Sequence, residues 1–109
     1  MNVILFPTNT DDPATYNLLS KAKQNRLQEW IDKNLKPYEI KTYNKHHTST
    51  QLKHTIPFYV TNGEFQGAML EAGFTPKEIS NKNSIYKVSK KRCDYLIKRK
   101  DLYKNLEGW

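Results

Sequence analysis

The stretch His54–Phe74, HTIPFYVTNGEFQGAMLEAGF, decides how this chain folds. Asn62-Gly63 between apolar residues is the usual signature of a tight β-hairpin, yet the same pair can open a helix. A hairpin requires alternation with period two after the turn. Phe65, Ala68, Met69 and Ala72 instead fall at i, i+3, i+4 and i+7, one face of a helix. The start agrees with a helix. Thr61 and Glu64 have capping-box spacing, and Val60 and Phe65 are placed as the two ends of a hydrophobic staple. The end agrees as well, with Gly73 at the position after the cap and Phe74 able to pack on Met69 in a Schellman motif. The spacing therefore predicts one helix from Asn62 to Ala72.

Working outward, Thr48 and Gln51 form another capping-box pattern, predicting a short helix from Ser49 to Thr55 that Pro57 stops. On the N-terminal side, Val3–Phe6 is a short β-like run. Asp12-Pro13 fits an N-cap and first helical position. The helical pattern then reaches about Leu35, with Leu27, Trp30, Ile31 and Leu35 on one face and a break expected near the polar Lys21-Ala22-Lys23. Tyr38 to Tyr43 alternates like a strand. On the C-terminal side, Thr75-Pro76-Lys77-Glu78 suggests a short helical turn, Ser80–Ser84 a loop and Ile85–Val88 a strand. Ser89 caps a last helix to about Lys104, with Leu96, Ile97 and Tyr103 inward and Cys93 and Leu102 at the edges.

The expectation is a single α+β domain over 1–109, helix-rich, with a helix-turn-helix or winged-helix-like core at 47–74 and a small antiparallel β element. A basic helix and tail occupy 89–109. In that arrangement Asn81-Lys82-Asn83 tips the wing, and the strand at 85–88 pairs with the one at 38–43.

The chain has 109 residues, 37% hydrophobic and 27% charged, with a net charge of +7. Seven tyrosines, four phenylalanines and two tryptophans argue for a folded domain with a very polar surface. The charge favours an anionic partner, either nucleic acid, a nucleoprotein or an acidic protein face. One cysteine excludes an intrachain disulfide, and the opening MNVILFPTNT has neither the basic start nor the apolar length of a leader or a span. The expectation is a cytoplasmic protein with no membrane partner.

The charge is unevenly placed. Between His54 and Pro76 there is no Lys or Arg, so the central helix offers only Asn62 and Gln66 as readers of base edges. From Lys77 to Trp109 there are ten basic and four acidic residues. Lys82, Lys87, Lys90, Lys91, Arg92, Lys98 and Arg99 are the candidate contacts there. Lys90-Lys91-Arg92 occupies the first turn of the last helix, beside free backbone amides, and reads either as an anion site or as solvated charge. Tyr86 and Tyr95 are either base-stacking rings or core and rim residues. Gly67 implies close approach of another backbone, with the core favoured over a partner because Ala68 adjoins it.

Signals for catalysis are weak. His46, His47, His54 and Cys93 match no zinc spacing. Cys93 falls on an inward helix face, where a thiol behaves as a small hydrophobe. There is no phosphate-binding glycine loop, no Gly-x-Ser-x-Gly and no acidic pair apart from Asp11-Asp12. No catalytic residue, metal or cofactor is expected.

The strings T-S-x-x-L-K-H at Thr48–His54 and Y-V-T-N-G-E-F from Tyr59, continuing through Gly67-Ala68-Met69-Leu70 and Ala72-Gly73-Phe74, resemble a family of small phage, prophage and mobile-element proteins of low-GC Gram-positive bacteria. The resemblance spans Thr48 to Phe74. This chain departs from that pattern at Thr50, where an aromatic is common, and at Gln66, where Lys is common. The second change removes a cation from what is expected to be an exposed face. The resemblance implies a phage setting and assigns no activity. Such proteins commonly regulate DNA or inhibit host defence, anti-CRISPR proteins among them. A basic inhibitor should grip guide RNA or DNA together with the effector, or bind an acidic surface. Two readings follow: an anti-defence protein docking on a host nucleoprotein, such as a Cas protein with its guide RNA, and a winged-helix regulator binding DNA. The oligomeric state, including a homodimer, is left open.

Overall fold

The computed structural model describes residues 11–80 and 83–107, except for the side chains of Ser80 and 101–107. Val3–Phe6, Lys82 and the side chains of Leu102 and Tyr103 lie outside the described residues.

Asp12 starts the described chain by accepting the Ala14 N–H at 2.9 Å, and Pro13 opens a 3₁₀ turn, Pro13–Leu18. The expected break follows. Leu19 is extended, and Ser20 caps helix α1, Lys21–Asn34. Leu27, Ile31 and Leu35 are fully buried, with Trp30 packed at the core edge. A second 3₁₀ turn, Lys36–Tyr38, contains Pro37.

Helix α2, Ser49–Lys53, begins at Thr48, and both halves of its capping box with Gln51 are formed. Helix α3, Asn62–Glu71, has the second complete box, Thr61 with Glu64. It ends as the sequence predicts. Gly73 has φ +95°, a conformation that glycine adopts without a Cβ penalty. Gly73 N–H donates to Leu70 O at 3.0 Å and Phe74 N–H to Met69 O at 2.9 Å, the Schellman pair.

α3 is the centre of the molecule, with seven of its ten residues buried. Phe65, Ala68 and Met69 reach the main core, where Phe65 and Phe74 meet Tyr86 edge-on. Gly67 faces the first 3₁₀ turn. A Cβ built there would lie 2.3 Å from Pro13 O and 2.4 Å from Tyr16 Cβ, so the approach that Gly67 permits is within this chain. Gln28 reinforces the contact by donating to Tyr16 Oη at 3.1 Å and Ala68 O at 3.0 Å.

Four expectations are corrected. Lys77-Glu78 is not a helical turn. It belongs to strand β1, Lys77–Ser80, antiparallel to β2, Asn83–Ile85, so part of the expected loop at 80–84 is also strand. Ser84 and Ile85 are buried and pair with Glu78 and Lys77, and this tertiary pairing outweighs a local capping pattern. The strand expected at 85–88 begins and ends earlier, with Val88 retained in an isolated bridge to Glu39. Tyr38–Tyr43 is not a regular strand either. Tyr38 and Ile40 are both 39% exposed, and Lys41 and Thr42 are exposed too. No buried face fixes their alternation. This segment still runs beside 86–89, through Ile40 N–H to Lys87 O at 2.8 Å, Asn44 N–H to Tyr86 O at 2.9 Å and Ser89 N–H to Tyr38 O at 2.9 Å.

Helix α4, Lys90–Glu107, closes the fold, with Ser89 Oγ accepting from Arg92 N–H. Cys93, expected at the edge of its inward face, is fully buried beside Leu96, and Ile97 is half-buried. The molecule is a small α+β domain, helical for the most part, with one two-stranded antiparallel sheet.

Candidate nucleic-acid interface

Asn62 and Gln66, the expected base readers, are buried at 6% exposure each. Asn62 Nδ2 donates to Asp11 Oδ1 at 2.9 Å. Gln66 Oε1 accepts from Ser84 Oγ at 2.9 Å, inside a network in which Ser84 N–H also reaches Ser49 Oγ and Thr50 Oγ1 donates to Asn83 Oδ1. Gln66 is therefore not on an exposed face. It ties α3 to the hairpin, and an uncompensated lysine ammonium at this depth would be costly.

Lys90, Lys91 and Arg92 were expected to point outward together, and the structure separates them. Lys91 is exposed. Lys90 Nζ pairs with Asp94 Oδ2 at 2.8 Å, and this hydrogen bond is the main reason the Asp94 carboxyl titrates below its ordinary value. Arg92 turns back onto α1. Its Nε donates to Asn34 O and its Nη2 to Asn34 Oδ1, both at 2.9 Å, and its guanidinium lies 4.3 Å from the Tyr38 ring centre and 4.9 Å from that of Tyr95. It binds the carbonyl end of α1, where helix carbonyls lack partners. Lys98 and Arg99 are exposed further along α4, and Tyr95 between them and Lys91 is 50% exposed.

On this side a cleft of about 290 Å³ is lined by Ile40, Thr42, Tyr43, Asn44, Lys45, His46 and Lys90. None of these residues is acidic. Lys87 Nζ stands 5.0 Å and Lys77 Nζ 5.8 Å from the Tyr43 ring centre. Two of the sequence candidates, Lys87 and Lys90, thus meet Lys45, Lys77, His46 and Tyr43, which the sequence did not single out. These residues come from the 40–46 segment, from β1, from the β2–α4 connection and from the start of α4. No spacing in the sequence signals their meeting.

Asn44 fixes the cleft floor. Its Oδ1 accepts the His46 N–H at 2.9 Å, which turns its Nδ2 toward His47 Nδ1 at 3.1 Å and Cys93 Sγ at 3.6 Å. His47 Nδ1 is then the acceptor, and Nε2 donates to Asp94 Oδ1 at 2.9 Å. The loop bearing Lys45 and His46 is pinned to the first turns of α4. Burial pushes the Cys93 thiol up to about 11, so it stays protonated at neutral pH, and its polar neighbour is the Asn44 amide.

A second, shallower groove of about 230 Å³ is lined by Arg26, Glu29, Trp30, Lys33, Asn34 and Phe58, with mixed charge. Among the described residues, no group of three or more His, Cys, Asp or Glu side chains is placed to hold a metal ion, and no helix is long and apolar enough to cross a membrane. No protein-family model matches this chain, and no curated protein or solved structure does.

Proposed function

We propose that this chain is a non-enzymatic binding protein that docks on a nucleic-acid-bearing complex of a bacterial host, as a phage-type anti-defence inhibitor. The observation that carries the reading is the cleft lined by Tyr43, Lys45, His46 and Lys90, with no carboxylate in the lining, with Lys77 and Lys87 beside the ring and with Lys90 paired to Asp94 at its edge. Lys90 joins this cleft to the exposed face of α4 that bears Lys91, Tyr95, Lys98 and Arg99. Convergent cations beside accessible aromatic rings suit a phosphate backbone with bases attached. The phage setting rests on the resemblance of Thr48–Phe74, and a guide-loaded Cas effector is the nucleoprotein it implies.

The second reading is a winged-helix regulator of a phage or mobile-element operon. The order α2, α3, hairpin favours it. Its base-reading helix would be α3, and the burial of Asn62 and Gln66 weighs against that use.

The two readings separate in one titration series, against a guide-loaded effector and against the duplex upstream of the chain's own gene. The first expects binding to the ribonucleoprotein that weakens steeply with salt, with no sequence-specific footprint. A protected operator site would overturn it in favour of the second.

A further inference from the structure

We propose that the Tyr43 cleft receives an unpaired nucleobase, so that the nucleic acid this protein grips is single-stranded at the point of contact. The inference deepens the binding reading above and rests on it. A duplex presents phosphates and base edges and hides the faces of its bases in the stack, so aromatic rings on a binding surface gain little from it. A single strand offers base faces, and rings flanked by cations are the surface that holds them.

The described surface has that form. Tyr43 is half-buried in the wall of a cleft whose volume, about 290 Å³, lies near the lower end of small-ligand sites, roughly 300 Å³. Ile40 adds an apolar wall, and Lys45 stands at the lining to meet a phosphate beside the base, while Lys90 at the same lining is paired with Asp94. Lys77 and Lys87 hold their ammonium groups 5.0–5.8 Å from the ring centre, on flexible stems that a stacked base can displace toward phosphate. A second ring, Tyr95, is 50% exposed on α4 between Lys91 and Lys98. Two ring stations linked through Lys90 and Lys91 suit a strand of several nucleotides. α3, the helix that would read a duplex groove in the winged-helix arrangement, is enclosed by the 3₁₀ turn, the core and the hairpin.

Fluorescence anisotropy with a labelled single-stranded dT12, the RNA 12-mer U12 and a 12-base-pair duplex tests the proposal. The wild-type protein should prefer the single strands. Tyr43→Leu keeps the apolar bulk and removes the ring, and should weaken dT12 binding roughly 5- to 150-fold, while Tyr43→Phe should bind as wild type. Thermal melts of both variants establish that they are folded. Lys45→Ala with Lys87→Ala should reduce the slope of log affinity against log salt by about 1.4 on a single strand. Free dTMP should displace dT12 only at large excess, and displacement near equal concentration would overturn the strand reading in favour of a mononucleotide site. Equal binding of duplex and single strand, with Tyr43→Leu unchanged, would overturn the inference and leave the binding reading standing on backbone charge. Failure to bind every probe, and the guide-loaded effector as well, would overturn both.

Discussion

α3 and α4 each start at a hydroxyl cap, Thr61 and Ser89, and each was read from sequence as a helix. They do opposite things with their polar residues. α3 carries Asn62 and Gln66 into the interior and bonds them there, to Asp11 and Ser84. α4 keeps Lys91, Lys98 and Arg99 at the surface, while its Arg92 and Asp94 hold the fold. Residue type alone would have assigned both sets to recognition. The difference is set by neighbours: α3 lies between a 3₁₀ turn, the core and a hairpin, while α4, among its described side chains, enters the core through Cys93 and Leu96.

The contrast breaks most visibly at Phe65. It is fully buried against Tyr86, and Phe65→Ala should cost about 3–5 kcal/mol in urea denaturation. A variant that melts like wild type would remove α3 from the centre of the molecule.

Arg92→Ala sharpens the division within α4. Loss of two charge-assisted bonds to Asn34, with the stack on Tyr38 and Tyr95, should cost about 1.5–3 kcal/mol. Arg92→Lys should recover little, because an ammonium cannot reproduce the planar fork. If Arg92→Ala is as stable as wild type and loses affinity instead, Arg92 belongs with the binding residues.

Gly67→Ala gives a test of sign. In an open helix the change should stabilise by about 1 kcal/mol. Against Pro13 O and Tyr16 Cβ it should destabilise by about 1–3 kcal/mol, the range for overpacking. A rise in melting temperature would show that the 3₁₀ turn does not rest on α3.

Thr61→Ala, which deletes the cap but not the packing of α3, should cost about 0.5–2 kcal/mol. Lys91→Ala is the smallest change, within about 0.5 kcal/mol in stability. Its effect should appear in the salt dependence of nucleic-acid binding. A Lys91→Ala protein with clear loss of stability would place that side chain with Arg92.

The sequence by itself determined the helices whose signals are local. The capping boxes at Thr48 and Thr61, the Schellman end at Gly73 and the buried stripe of α1 are written within a few residues of where they act. Hydrogen bonds of that reach form largely without regard to the rest of the chain. Tertiary structure decided what depended on distant partners. Lys77-Glu78 became strand by pairing with Ile85 and Ser84, and Tyr38–Tyr43 lost regular strand form because neither of its faces is buried. Gln66 went inward because Ser84 waits there, and Arg92 because Asn34 lies within reach, 58 positions away. The basic cleft at Tyr43 is of the same kind. Its lysines come from four separate segments, and the docking of the 40–46 segment onto α4 through Asn44 and His47 helps bring those charges to one place.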